Sequence, residues 1–169
     1  MSKIQLKKEL TNLTRDQLIQ LILDLYSARK EAKEYFDFFV DPDVAKLYEK
    51  FRAEIEKEMT RGKYNNSTAR ISRIRKSIKN FASFDVGAES VTELMLYTLG
   101  LGLIVERRKY VSKPFINGMA KLANDILILA DKNCIFDTTH QLLSKVLDGN
   151  VGSKSFVNFI RKSLDWSKL

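Results

Sequence analysis

The sequence contains few of the residues that build metal centres, disulfide frameworks and turn-rich folds. Its 169 residues include one cysteine and one histidine, which excludes an internal disulfide framework, a cysteine-rich zinc site and a multi-histidine metal site. Seven glycines and two prolines are too few for collagen-like, linker-rich or all-β architectures. No apolar run reaches the roughly 18 residues that a membrane span needs, so we expect no membrane segment.

The N-terminal residues Met1 to Lys8 contain no apolar stretch and no cleavage motif of a secretory signal, and we expect a cytoplasmic protein. Apolar residues make up 44% of the chain, enough for a single core, so we expect one all-α domain over residues 1–169. A possible sub-boundary lies in the loop 60–66, which holds a glycine and paired asparagines. We expect the part of this loop from Gly62 to Asn66 to have few apolar anchors and to be among the most mobile segments of the chain.

Apolar residues recur at intervals of three and four along almost the whole chain, which is typical of amphipathic helices. A capping box at Thr14–Gln17 opens one long helix, or two collinear helices, which this spacing extends to about Val40. Pro42 suits the first turn of the next helix, which runs to Met59. The pattern predicts an all-α fold, with an N-terminal antiparallel helical hairpin followed by an irregular helical array, about seven to eight helices in all.

Three features that resemble chemical motifs have simpler explanations. His140 has no nucleophile and acid nearby in the sequence, so capping or a surface position is favoured over catalysis. Cys134 has apolar neighbours, which favour a small buried hydrophobe over a reactive thiol. Gly100 and Gly102 lack the rest of a dinucleotide fingerprint, and close helix packing explains them better. The sequence predicts no catalytic residue, no metal site and no cofactor.

Positive charge is concentrated in one short segment. The net charge of the chain is +8, and residues 59–84 hold seven basic and no acidic residues. A helix over residues 67–82 would place Ile71, Ile74 and Ile78 on one face and basic residues opposite them. The candidate residues for binding nucleic acid or an acidic partner are Arg61, Lys63, Arg70, Arg73, Arg75, Lys76 and Lys79.

Two interpretations of this basic segment are open. It could follow the phosphates of a nucleic acid or dock on an acidic surface. Alternatively, it is a solvated helix face, as most charge runs are. The first hairpin would then neutralise it with carboxylates such as Glu49, Glu54, Glu56 and Glu58.

Six short segments carry a resemblance to a known family. They are Leu6–Leu10, Leu18–Tyr26, Lys33–Phe38, Ile78–Phe81, Glu93–Tyr97 and Lys113–Phe115. With them the chain resembles a family of uncharacterised bacterial proteins of similar length, a domain of unknown function. The resemblance covers most of the chain and implies a small helical protein, but it implies no activity and no catalytic residues.

These observations favour a non-enzymatic cytoplasmic protein that binds a partner or acts as a scaffold through its helical surfaces. The partner would be an unknown protein or a second copy of the chain. The alternative function is nucleic-acid binding through the basic helix 67–82 and the preceding loop. A scaffold should expose an apolar patch, a nucleic-acid binder an uncompensated positive surface, and an enzyme a deep pocket around His140 or tyrosine side chains.

Overall fold

The computed structural model describes residues 2–63, 65–149 and 151–164. Within these residues the chain forms nine α-helices and no β-strand. The predicted all-α class is therefore confirmed, and the number of helices is close to the predicted seven to eight. Tyr64, which falls in the predicted loop 60–66, lies outside the described residues.

The chain divides into two compact units, Met1–Asp43 and Val44–Leu169. The helices of the first unit are α1 (Lys3–Thr11), α2 (Arg15–Ala28) and α3 (Lys30–Val40). The predicted capping box opens α2: the Thr14 hydroxyl accepts the Gln17 N–H at 3.2 Å, and the Gln17 side chain accepts the Thr14 N–H at 2.9 Å. These two bonds satisfy amide groups that a helix start leaves unpaired.

Of the two alternatives for this stretch, one long helix or two, the structure has two helices, which are separated at Arg29, whose backbone is extended (φ −133°, ψ 120°). Across the break, the Tyr26 hydroxyl donates to the Asp37 carboxylate at 2.7 Å, and Lys33 Nζ lies 5.7 Å from the centre of the Tyr26 ring. The antiparallel packing predicted for the helices before and after Pro42 stays a prediction, because those helices belong to different units.

The second unit is organised around a long central helix. Its helices are α4 (Val44–Met59), α5 (Ile71–Ala82), α6 (Ala88–Arg108), α7 (Lys113–Lys132), α8 (Phe136–Asp148) and α9 (Lys154–Ser163). Helix α6 packs against every other helix of this unit, and its Leu94, Leu99 and Leu103 are fully buried. The core of the second unit therefore surrounds α6.

Close packing between α6 and α7 depends on a glycine. A Cβ atom at Gly102 would lie 2.5 Å from Met119 Sδ, so the interpretation of Gly102 as a helix-packing residue is confirmed. By length and composition α6 could also span a membrane: its most apolar window has a mean hydropathy of 1.4, and 56% of that window is buried inside the protein. A mostly buried core helix also satisfies this criterion of length and composition, so the criterion is weak evidence for a membrane span.

Backbone hydrogen bonds connect the loop between α4 and α5 to a later segment of the chain, and the expected mobility of this loop stays a prediction. The Ser67 N–H donates to the Tyr110 carbonyl at 2.9 Å, and the Tyr110 N–H donates to the Asn65 carbonyl. Asn66 and Tyr110 form an isolated parallel β-bridge. Apolar spacing does not reveal such contacts, because the partner segment follows α6, much later in the chain. The loop lies inside the second unit, and the boundary between units is at Asp43.

Cys134 is exposed, and the expectation that it is buried is wrong. It follows the end of α7 and has a left-handed backbone conformation, with φ of 58°. Its N–H donates to the Asp131 carbonyl at 3.2 Å, and the Ile135 N–H donates to the Ala130 carbonyl at 3.0 Å. This pair of bonds is a Schellman motif, which terminates helices at the surface.

Candidate functional site

The first unit exposes much of its apolar surface. Within the described residues, none of its three helices contains a buried residue. In α2, five large aliphatic side chains are each between 44% and 52% exposed, namely Ile19, Leu21, Ile22, Leu23 and Leu25. Because consecutive helical positions differ by about 100°, these side chains cover several faces of α2. Contiguous exposed apolar surface of this kind marks interaction sites.

The seven basic residues singled out in the sequence form two groups, and the first group is paired. Arg70 immediately precedes α5, and its Nε and Nη2 donate to the Glu58 carboxylate at 2.8 and 2.9 Å. Arg61 Nη1 lies 3.7 Å from the same carboxylate. Arg75 forms a salt bridge with Asp125 of α7. Glu58 therefore neutralises Arg61 and Arg70 as expected, whereas Asp125, the partner of Arg75, is not one of the carboxylates expected from the first hairpin.

Glu58 is held as a carboxylate by its neighbours. The side-chain hydrogen bonds from Arg70 lower the pKa of Glu58 from 4.5 to about 2, with a smaller contribution from the backbone N–H of Arg70. That backbone N–H donates to Glu58 Oε1 at 3.0 Å. Burial of Glu58 opposes the shift, so the hydrogen bonds determine its sign.

The second group of basic residues is open to solvent. Arg73, Lys76 and Lys79 of α5 and Lys63 of the loop are exposed. None of these four side chains forms an ion pair with another described residue. The three residues in α5 lie away from the buried Ile74 and Ile78, as the helical spacing predicts. Binding of nucleic acid or of an acidic partner by these exposed residues stays a prediction.

A cavity of about 610 Å³ lies between α4, α6 and α8 in the second unit. Its lining residues are Tyr48, Glu89, Thr92, Glu93, Leu96, Tyr97, Ile135, Thr138, Thr139, Leu142, Lys145 and Val146. On both α6 and α8 the lining residues recur at intervals of three and four, so one face of each helix forms a wall. Small-molecule sites usually have volumes of about 300–1,000 Å³.

The two carboxylates of this cavity are on α6. Glu89, Thr92 and Glu93 occupy positions i, i+3 and i+4 and therefore share one face. Thr92 is 3% exposed, and its hydroxyl has no hydrogen-bond partner among the described residues. Apolar spacing does not single out these three residues; the signal available in the sequence is a polar group at helical spacing within the otherwise apolar α6.

Two tyrosines complete the wall of the cavity. Burial, with a smaller effect of the Glu93 carboxylate, raises the pKa of Tyr48 to about 12. The Tyr97 hydroxyl bonds to Glu56 of α4, and the guanidinium of Arg52 lies 4.6 Å from the centre of the Tyr97 ring. Burial and the bond to Glu56 raise the pKa of Tyr97. Both phenols are therefore neutral near pH 7.

His140 is not among the residues that line the cavity. Its ring stacks on Phe136, with 5.8 Å between the ring centres and 13° between the planes, and it is half-buried. Among residues 2–63, 65–149 and 151–164, no group of three histidine, cysteine or acidic residues could hold a metal ion.

Comparisons with known proteins identify a family but no activity. No curated protein and no solved structure matches the chain. The sequence model of a family of unknown function (DUF6155) matches residues 1–160, which confirms the resemblance to an uncharacterised family. A bacterial origin stays a prediction. Because the match spans both units and most of the chain, the protein belongs to the family of unknown function DUF6155.

Proposed function

We propose that the protein is a non-enzymatic cytoplasmic binding protein that associates with a second copy of itself through the apolar side chains of α2. The exposure of five large aliphatic residues in this 14-residue helix carries the proposal. Complete burial of one such side chain contributes about 1.5–3 kcal/mol. Covering α2 would therefore stabilise the first unit substantially.

The first unit does not bury this surface by its own folding. Its 43 residues are close to the size below which a chain rarely supplies a sufficient core, and such small units are usually stabilised by disulfides, metals or oligomerisation. The single cysteine, Cys134, lies in the second unit. Oligomerisation is the remaining means of stabilisation for which the chain has suitable surface.

The charge pattern of the first unit favours a second copy over a strongly charged partner. Residues 1–43 hold seven basic and eight acidic residues, so this unit is nearly neutral. On α3 the two signs alternate, with Lys30 and Lys33 beside Glu31 and Glu34. In a two-fold interface the same surface meets itself, and a surface of mixed sign can then pair each charge with its opposite.

Light scattering coupled to size-exclusion chromatography tests this proposal on the full chain. We expect a dimer or larger oligomer for the wild type and a monomer for Ile22→Glu/Leu25→Glu, because Glu preserves helix propensity but is costly to bury. The matched control is Phe159→Glu, which changes an exposed apolar residue of α9 and should leave the oligomer intact. A wild type that stays monomeric at all concentrations would overturn the proposal.

A specific observation also favours nucleic-acid binding as a second candidate function. Arg73, Lys76 and Lys79 present three exposed cations on one helix, without ion pairs among the described residues. Unpaired cations on one face can neutralise successive phosphates of a nucleic-acid backbone. This binding would be electrostatic and would show little sequence preference, because the surface offers no fixed set of base-reading side chains.

A further inference from the structure

The cavity of the second unit combines apolar walls with two carboxylates. Glu89 and Glu93 form no ion pair with another described residue. They are four positions apart on α6, where like charges repel each other. Glu89 also lies in the first turn of α6, where a negative charge is favoured by the helix dipole. The dipole does not account for Glu93, which lies one turn further along the helix.

The one basic residue of the lining is displaced from these carboxylates along the cavity. Lys145 directly precedes Val146 on α8, and a Cβ at Gly100 would lie 3.8 Å from Val146. Gly100 follows Glu93 by seven residues, which corresponds to about 10 Å along a helix. Along α6, the carboxylates of the lining therefore lie near the start of the helix, whereas Val146, the neighbour of Lys145, lies near Gly100.

Thr92 lies between the two carboxylates in the wall of the cavity. Its hydroxyl is buried without a hydrogen-bond partner among the described residues, whereas buried hydroxyl groups are normally paired. On the same helix, Thr98 is also buried, and its hydroxyl donates to the Leu94 carbonyl at 2.7 Å. The unpaired hydroxyl is therefore particular to the position of Thr92, a residue of the cavity wall.

We propose that this cavity binds an organic cation, a primary ammonium group attached to an apolar body. An ammonium group has three N–H donors and no acceptor, which matches the carboxylates of Glu89 and Glu93 and the hydroxyl of Thr92. The apolar body lies along Leu96 and Ile135. The rings of Tyr48 and Tyr97 add surfaces that attract cations.

Three probes of nearly equal size separate the role of the charge from that of the apolar body. They are 2-phenylethylammonium, 2-phenylethanol and 3-phenylpropionate, titrated at pH 7 into the full chain and followed by calorimetry and ligand-observed NMR. We expect the ammonium probe to bind at least about tenfold more tightly than the alcohol, and the carboxylate probe to bind most weakly, because only the ammonium complements Glu89 and Glu93.

Variants connect this preference to the cavity. Glu89→Gln/Glu93→Gln should weaken binding of the ammonium probe about tenfold or more while leaving the circular dichroism unchanged, because both side chains are exposed. The matched control Glu31→Gln removes an exposed carboxylate of α3 and should leave affinity unchanged. Thr92→Val, which keeps the side-chain shape, should also weaken binding of the ammonium probe.

Three outcomes would overturn the proposal: no binding of the ammonium probe at millimolar concentration, equal affinity for the three probes, or an unaltered affinity in a folded Glu89→Gln/Glu93→Gln variant. The oligomeric state of the same variants, measured by light scattering, reports separately on self-association through α2, since the cavity and α2 belong to different units.

Discussion

Arg70 donates three hydrogen bonds to the carboxylate of Glu58, two from its guanidinium and one from its own backbone N–H. Arg70 is also the N-cap residue of α5, and its side chain makes no capping hydrogen bond to this helix. The Glu58 carboxylate accepts the N–H of the capping residue and places a negative charge at the N-terminus of α5, where the helix dipole favours it. One carboxylate of α4 thus fixes the start of the basic helix.

Replacing Glu58 by glutamine should lower the free energy of unfolding by about 1–2 kcal/mol at pH 7, because charge-assisted hydrogen bonds become neutral ones. The pKa of Glu58 is lowered from 4.5 to about 2 in the folded chain. Its stabilising effect is therefore complete above the unfolded-state value and is lost as the pH falls from 4.5 towards 2.

Urea unfolding of the wild type and Glu58→Gln at pH 7, 4 and 3 measures this effect. The difference in stability between the two proteins should shrink with falling pH. Glu31→Gln serves as a control for the loss of one exposed carboxylate and should remain within about 0.5 kcal/mol of the wild type. A difference for Glu58→Gln that does not change with pH would contradict the assigned hydrogen bonds.

The second prediction concerns the exposed basic residues of α5. Changing Arg73, Lys76 and Lys79 together to Glu should preserve the helical circular dichroism, because these side chains are exposed and unpaired among the described residues. If the protein binds duplex DNA, the wild-type affinity should fall with salt, with a slope of log K against log salt of about −3 to −4 for three or four phosphate contacts. The triple variant should not bind.

Arg75→Glu should destabilise the protein, in contrast to the triple variant. Arg75 forms a salt bridge with Asp125, so reversal of its charge places two carboxylates together and should destabilise the fold. Unfolding of the triple variant would show that its residues are internally paired after all. Absence of wild-type binding to both DNA and RNA, single-stranded and duplex, at low salt would exclude nucleic-acid binding as the function of this surface.

The sequence predicts the helical class well because the apolar spacing of three and four is a local property. The same spacing continues across Arg29, so it does not reveal the break between α2 and α3. It places Arg75 on the basic face, but the pairing with Asp125 depends on how α5 and α7 meet. Contacts between distant segments decide such partners, and no local pattern encodes them.

The cavity also could not be predicted from the sequence alone. Glu89, Thr92 and Glu93 share a helix face that helical periodicity predicts, but a pocket exists only because α6 and α8 form opposite walls. The unpaired hydroxyl of Thr92 likewise depends on its surroundings in three dimensions. From the sequence alone, these residues are polar positions in an apolar helix.

The third prediction concerns the effect of Tyr48 on stability at alkaline pH. Burial first, and Glu93 second, raise its pKa from 10.0 to about 12. Between these values the unfolded chain loses the phenolic proton before the folded chain does, so stability should fall as the pH rises from 10 towards 12. At pH 11 the loss from this group should be about 1 kcal/mol.

Urea unfolding at pH 9, 10 and 11 measures that slope. Tyr48→Phe should reduce this slope because Tyr48 no longer titrates, while the raised pKa of Tyr97 leaves part of it; the wild type and the variant need not be equally stable at pH 9. Glu93→Gln should flatten it partially, because one cause of the raised pKa is removed. If the wild type and Tyr48→Phe lose stability in parallel, Tyr48 does not titrate as described.

The fourth prediction concerns the left-handed backbone of Cys134. A residue with a Cβ atom at φ of 58° is strained by about 1 kcal/mol or more, whereas glycine adopts this conformation freely. Glycine is also the residue most common at this position of a Schellman motif. The two backbone bonds of the motif, from Cys134 to Asp131 and from Ile135 to Ala130, do not involve the thiol, so they persist in a variant.

Cys134→Gly should therefore raise the free energy of unfolding by about 0.5–1 kcal/mol. This gain is smaller than the strain itself, because glycine also has greater conformational freedom in the unfolded chain. Cys134→Ala is the matched control, since it also removes the exposed thiol but keeps the Cβ atom and its strain. Urea unfolding under reducing conditions compares the three proteins. Equal stability of the glycine and alanine variants would contradict this prediction. It would mean that residue 134 leaves the left-handed conformation in the variants, because alanine is strained relative to glycine only in that conformation.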